Sequence, residues 1–175
     1  MDVKLREIKR EDFPLLLAWA HIKEVWTYLP TSRKSENLTW EGHFSWWESR
    51  ISRVDWMILV NFGYGARPVG VVHVKDLETD HPEVGLYIGE VTLWGKGISR
   101  RALELVIERV NRPRLWAVIH PENKRSIRLF TDLGFKKEGR ARNGQDLYKY
   151  SSGRPKIPVP VLETGDRRSL IPVPA

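Results

Sequence analysis

One stretch limits the fold more than any other, the run from Glu83 to Val110. Glu83 to Glu90 alternates apolar and polar positions, which is the pattern of a strand. From Ile98 the apolar residues Ile98, Ala102, Leu105, Val106 and Val110 recur at helical spacing. Between them lies Leu93-Trp94-Gly95-Lys96-Gly97. A strand that passes through Gly-x-Gly into an amphipathic helix predicts a helix packed back on a sheet. Its first turn presents backbone N–H groups at the positive end of the helix dipole. Glycine allows close approach of a ligand, and Lys96, Arg100 and Arg101 add positive charge. The residues therefore read as a pyrophosphate cradle from Trp94 to Arg100, with a plain glycine-rich turn as the alternative. No Gly-x-x-x-x-Gly-Lys-[Ser/Thr] is present, and the third glycine of a dinucleotide fingerprint would fall on Arg100.

The rest of the chain reads as one α/β unit. Val3–Ile8 is a short strand, and Glu11-Asp12 opens a helix with Phe13, Leu16, Leu17 and Ala20 on its apolar face. His21–Leu38 reads as a short helix followed by a polar loop over Thr31–Asn37. Thr39 caps a helix over Trp40–Ile51, with Phe44, Trp47 and Ile51 inward. Asp55–Phe62 and Val69–Val74 form a hairpin around the turn Gly63–Pro68. After the central strand and helix come a parallel strand, Arg114–Ile119, and a helix, Glu122–Leu133, which Gly134 terminates. Phe135–Arg142 and Gln145–Tyr150 then close a hairpin at Asn143-Gly144.

Size and charge bound the function. A chain of 175 residues is expected to form one core, here residues 1–150. Residues 151–175 are rich in proline, carry a net charge of +2, and read as an extended tail. No apolar run reaches the ~20 residues of a membrane span, the charged N-terminus lacks a leader pattern, and a cytoplasmic protein is expected. There is no cysteine, so disulfides, zinc–thiolate sites and cysteine nucleophiles are excluded. The net charge of +7 leaves a basic nucleic-acid-binding domain as one reading. The reading preferred here spreads the excess over a solvated surface, so that neither nucleic acid nor membrane is a partner.

A second motif follows downstream in His120–Gly139. Asn123, Ser126, Leu129, Leu133-Gly134-Phe135 and Glu138-Gly139 resemble the second acetyl-CoA motif of the GCN5-related N-acetyltransferases. Glu83–Gly89 and Trp94–Ile98 resemble the first, nearest to the branch of ribosomal-protein alanine and small-amine acetyltransferases. The resemblance covers roughly residues 3–150. It implies a mixed, mostly antiparallel twisted sheet of six to seven strands with a central splayed parallel pair and about four helices. It also implies acetyl-CoA as co-substrate and an N-acetyltransferase acting by direct attack. The acceptor would be a primary amine of a small molecule, an amino sugar or a protein N-terminus, and the protein a monomer or homodimer. No metal is implied.

The resemblance further implies which residues do what. Ile88, Gly89, Trp94, Gly95, Lys96, Gly97, Ile98, Ser99, Arg100, Asn123 and Ser126 would bind acetyl-CoA. Gly89 marks a strand irregularity that would free backbone N–H groups near Ile88 for the oxyanion. The acceptor would meet Trp26, Tyr28, Trp40, His43 and Trp46, although any of these is as well explained as core. Glu83 at the strand entrance is the first choice of base, followed by His73 and His43. Many family members carry a tyrosine, the presumed thiolate acid, where this chain has Phe130. Ser126 or water then protonates the sulfur, or the thiolate leaves unprotonated. The missing phenol keeps a catalytically silent acyl-CoA sensor or scaffold as the alternative.

Overall fold

The computed structural model describes residues 2–28, 39–141 and 143–152. The expected loop at 31–37 and nearly all of the expected tail lie outside them. Seven strands form one sheet in the order β1-β2-β3-β4-β5-β7-β6. They are β1 (Asp2–Glu7), β2 (Arg53–Asn61), β3 (Ala66–Lys75), β4 (Glu83–Ile88), β5 (Arg114–Ile119), β6 (Lys136–Arg140) and β7 (Asp146–Ser151). Every pairing is antiparallel except that of β4 with β5. The helices are α1 (Phe13–Ala20), α2 (Lys23–Trp26), α3 (Trp40–Glu48), α4 (Ile98–Val110) and α5 (Lys124–Asp132). This is the mixed architecture expected from the sequence.

Alternation along the strands divides the sheet into two faces. On one face Ile58, Val72, Val74, Val84, Leu115 and Ala117 join Ile98, Ala102, Leu103 and Val106 of α4 and Phe130 of α5. Fully burying each large side chain contributes roughly 1.5–3 kcal/mol, which is how a helix of mixed composition is held on the sheet. On the other face Met57 and Val71 meet Phe13, Leu16 and Trp19 of α1, with Phe44 and Trp47 of α3 alongside. Phe13 makes edge contacts with both, at 5.2 Å to Phe44 and 5.5 Å to Trp47. Arg6 clamps the start of α1 through two 2.7 Å bonds to Asp12. Burial would push the Asp12 carboxyl up, but the bonds from Arg6 and from the Lys9 N–H outweigh it and hold it below the usual range.

Two local expectations shift. Helix α3 stops at Glu48, and Ile51 is 86 % exposed rather than inward. Strand β3 begins at Ala66, so it includes Pro68 from the expected turn. The register jumps from Ile58↔Gly70 to Leu59↔Pro68, leaving Val69 as an extra residue. A bulge is one of the few strand positions where proline's missing N–H is tolerated.

Candidate active site

The parallel pair is joined at one end only. Its sole registered pair is Glu83 with Trp116, and the Trp116 N–H donates to the Pro82 carbonyl at 2.8 Å. Towards Ile88 and Ile119 the two strands part. β5 pairs with β7 along its whole length, and β4 pairs with β3, so each is supported on its outer side. The open end of this wedge leads directly into the turn before α4.

That turn has the properties read from its glycines. Gly95 and Gly97 have φ of +76° and +79°, a left-handed conformation costly for other residues. Gly97 is the N-cap of α4 and supplies no side-chain cap, so the first-turn N–H groups stay uncapped by protein. Lys96 is exposed beside them. Arg100 is engaged elsewhere, on Glu104 at 3.3 Å and Asp132 at 3.9 Å, where it ties α4 to α5. Ile98 is buried in the core, so only its backbone can serve a ligand. Ser99 is half-buried at the same turn. The indole N–H of Trp94 donates to the Ile88 carbonyl at 2.9 Å, which pins the turn to the end of β4, and Arg125 lies 4.8 Å over its ring. On the β5 side, Asn123 Oδ1 accepts the Ser126 backbone N–H at 3.1 Å and caps α5. Ser126 is half-buried, one turn before Phe130. Phe130 itself is buried against Phe135, at 5.0 Å between ring centroids, and acts as core.

The reading of Gly89 is corrected. Its N–H donates to the Val69 carbonyl at 2.9 Å, so it is not a freed donor. Glycine is needed there for packing instead: a Cβ would lie 2.1–2.4 Å from the Trp19 indole. Trp19 comes from α1, and its indole N–H donates to Glu90 Oε1 at 3.1 Å. From the sequence Trp19 reads only as closing the core or lining a pocket; its seat over Gly89 and its bond to Glu90 were not legible, because the partners are 71 residues apart.

Glu83, the first choice of base, sits away from the open end. It lies at the closed end of the wedge and is ion-paired with Lys75 at 3.0 Å. Five residues of strand, at ~3.3 Å each, separate it from Ile88 by roughly 16 Å. His73 on β3 lies opposite Asp55 of β2 and Gly85 of β4. Burial, and then Arg53, Arg50 and Lys75, push it well below the usual histidine range, so it is neutral and a weak base. His43 is buried beside Trp46, 5.9 Å between rings.

The acceptor candidates fall into two groups. Trp26 and Tyr28 belong to the open end: Trp26 donates to the Trp19 carbonyl at 2.8 Å and lies 5.5 Å from Tyr87, and Tyr28 packs 5.4 Å from His120, just past β5. His43 and Trp46 instead border a buried charge cluster. There Arg50 lies over Trp46 and Trp47 at 4.3 and 3.5 Å, and Arg50 and Arg53 converge on Asp55 at 3.3 and 2.9 Å. Trp40 is 41 % exposed and packs beside Phe13 and Phe44.

The acetyltransferase (GNAT) domain model matches residues 2–136, and the chain belongs to that family. An uncharacterized protein of Methanocaldococcus jannaschii is 40 % identical over 148 residues, which is 83 % of this chain and 30 % of that protein. The chain thus spans less than a third of that relative. The crystal structure of a domain from the same organism superposes with a TM-score of 0.79 at 39 % identity, covering 86 % of this chain and 98 % of that one. An aminoglycoside acetyltransferase, in complex with coenzyme A and kanamycin, gives a TM-score of 0.71 at 17 % identity, with 86 % and 95 % covered. Among the described residues no helix is long and apolar enough to cross a membrane.

Proposed function

We propose that this protein transfers the acetyl group of acetyl-CoA to a primary amine, by direct attack of the amine on the thioester. The observation that carries this reading is the wedge: a parallel pair joined only at Glu83–Trp116, opening onto the uncapped N-terminus of α4. A pyrophosphate fits the amides of Gly97 to Arg100, with Lys96 adding charge. The pantetheine arm extends from there between β4 and β5, alongside Asn123. Asn123 Oδ1 already accepts the α5 cap bond, and its amide N–H groups are the donors a pantetheine carbonyl would meet. Ser126 is the hydroxyl beside the thiol. The backbone near Ile88 is the oxyanion donor, a role the Gly89 N–H cannot share.

The acceptor is a small-molecule amine, an amino sugar or a protein N-terminus, entering from the side of α1 and α2. Family membership supports the acetyl donor, and the structural relative bound to coenzyme A and kanamycin supports an amine acceptor. The test is calorimetric titration with acetyl-CoA, followed by thiol release with a panel of spermidine, kanamycin, glucosamine and a short peptide. Binding with turnover of at least one amine is expected. Binding without turnover of any would favour an acyl-CoA sensor, and no binding would refute the wedge as an acetyl-CoA site.

A further inference from the structure

Glu83 lies at the closed end and His73 is a weak base, so the first two base candidates are poorly suited to take the proton of the incoming ammonium at the open end. At the open end one carboxylate stands out. Glu90 immediately follows Gly89, and its backbone is pinned by its own N–H to the Val69 carbonyl at 3.3 Å. Its side chain turns to the α1 face, where Oε1 accepts the Trp19 indole N–H at 3.1 Å. Trp19 is buried, edge-on to Tyr87 at 6.1 Å, and Tyr87 faces Trp26 at 5.5 Å. Among the described residues no lysine, arginine or histidine pairs with Glu90, which is half-buried. The fully buried carboxylates among the described residues are each matched by cations, Asp12 by Arg6, Asp55 by Arg50 and Arg53, and Asp146 by Lys137, as is Glu83 on β4 by Lys75. A carboxylate oriented by a neutral donor keeps its full charge for a ligand. The neighbouring rings add faces that favour a cation.

Building on the acetyltransferase reading, we infer that Glu90 receives the acceptor's ammonium group and takes its proton, with Trp19 as the positioning residue that fixes the carboxylate. The step balances as follows. An N–H proton passes from the ammonium to Glu90, and the freed lone pair forms the C–N bond at the thioester carbonyl. The C–S bond then breaks with its electron pair on sulfur. The attached nitrogen loses a second proton as it becomes the neutral amide nitrogen, the coenzyme thiolate takes up one proton and leaves as thiol, and Glu90 returns its proton to solvent, so that one proton is released per turnover. The acceptor class is accordingly an aliphatic primary amine that is protonated in bulk water.

The test compares wild type with Glu90→Gln, which keeps an oxygen for the Trp19 N–H and removes only the charge. The same four amines serve as probes, and acetyl-CoA affinity is measured in parallel. For the best amine, kcat/KM is expected to fall by ~10²–10⁴-fold, the usual worth of general base catalysis, while acetyl-CoA affinity and Tm stay at wild-type values. Trp19→Phe keeps a ring over Gly89 and removes the N–H. It is expected to lower kcat about tenfold, the order of one lost hydrogen bond to a charged group, without changing acetyl-CoA affinity. Glu90→Gln with wild-type turnover would overturn the role of Glu90 and leave the acetyltransferase reading standing. A wild type that turns over none of the amines would overturn both.

Discussion

Glu83 and Glu90 are on the same strand run, seven residues apart, and the structure gives them opposite circumstances. At Glu83 the strands β4 and β5 are joined, and the carboxylate is neutralised by Lys75 on the neighbouring strand. At Glu90 the strands have parted, and the carboxylate is held by an indole that brings no charge. The closed end is a structural clamp. It determines where the wedge starts, and its charges are satisfied within the sheet. At the open end, groups are unmatched among the described residues: the first-turn amides of α4 have no side-chain cap and Glu90 has no cation. Binding sites of this kind give up some stability to keep partners for a ligand. The comparison therefore separates residues whose loss affects folding from residues whose loss affects binding or turnover.

The largest effect expected at the open end is at Gly97. Gly97→Asp adds its Cβ into open space, so the fold should tolerate it apart from the strain of φ +79°. The new carboxylate then faces a pyrophosphate over a few ångströms. At an effective dielectric of about 20, like charges at 4 Å repel by ~4 kcal/mol. Acetyl-CoA affinity is expected to fall by at least roughly a hundredfold, as read by calorimetry, with near-native circular dichroism. Wild-type affinity in the folded variant would remove the Trp94–Arg100 turn from the site.

Next is Gly89→Ala, which asks whether the open end is held together by Trp19. The added methyl would overlap the indole at 2.1–2.4 Å, and the indole cannot yield without leaving Glu90. Overpacking of this kind costs typically 1–3 kcal/mol. A drop in Tm is expected together with lower turnover. If stability and rate are both unchanged, Trp19 is free to move, and its hold on Glu90 is weaker than the geometry implies.

At the closed end the effects become smaller and turn to stability. His73 is neutral when folded, because burial and the surrounding Arg53, Arg50 and Lys75 lower its proton affinity. The unfolded chain binds that proton near pH ~6.5, so below this pH the unfolded state carries more protons than the native one. Stability therefore falls as pH drops from ~6.5 towards the folded value, by up to about 1.4 kcal/mol per pH unit from this residue. His73→Leu should flatten the denaturation free energy between pH ~6.5 and 5 relative to wild type. An unchanged slope would show that other groups carry it.

Much of the open end was legible in the sequence because its signals are local. Gly95 and Gly97 act on residues within one helical turn, so spacing alone exposes them, whereas Asn123 comes from the family resemblance, which does not reveal its capping of α5. The two hairpins and the parallel pair were also within reach, since they follow from the succession of periods, while the order β5-β7-β6 was not. What was not legible depends on distant partners. Gly89 looks like a strand irregularity until Trp19 from α1 is brought onto it. Glu83 looks like a site entrance until the register shows which end of β4 is joined to β5. The aromatics of α2 and α3 are compositionally alike, yet Trp26 reaches Tyr87 while Trp46 serves Arg50.

The smallest expected effect is the sharpest check of the comparison, because it concerns the residue first chosen as the base. Glu83→Gln removes one member of a partly exposed ion pair, with side chains 39 % and 23 % exposed for Lys75 and Glu83. Such pairs contribute about 0.2–1 kcal/mol, and glutamine can still accept a hydrogen bond from Lys75. Its neighbour Trp116 keeps the backbone bond to Pro82 that closes the wedge, since that bond uses no Glu83 atom. The strands should therefore stay joined and the wedge unchanged. We expect a loss of less than about 1 kcal/mol in chemical denaturation, and kcat/KM for the best amine within about twofold of wild type. Glu90→Gln measured in the same assay supplies the contrast. If instead Glu83→Gln lost activity by ~10²-fold or more at unchanged stability, proton transfer would run through the closed end. The wedge would then have to admit the acceptor from that side, and the roles of the two carboxylates would be reversed.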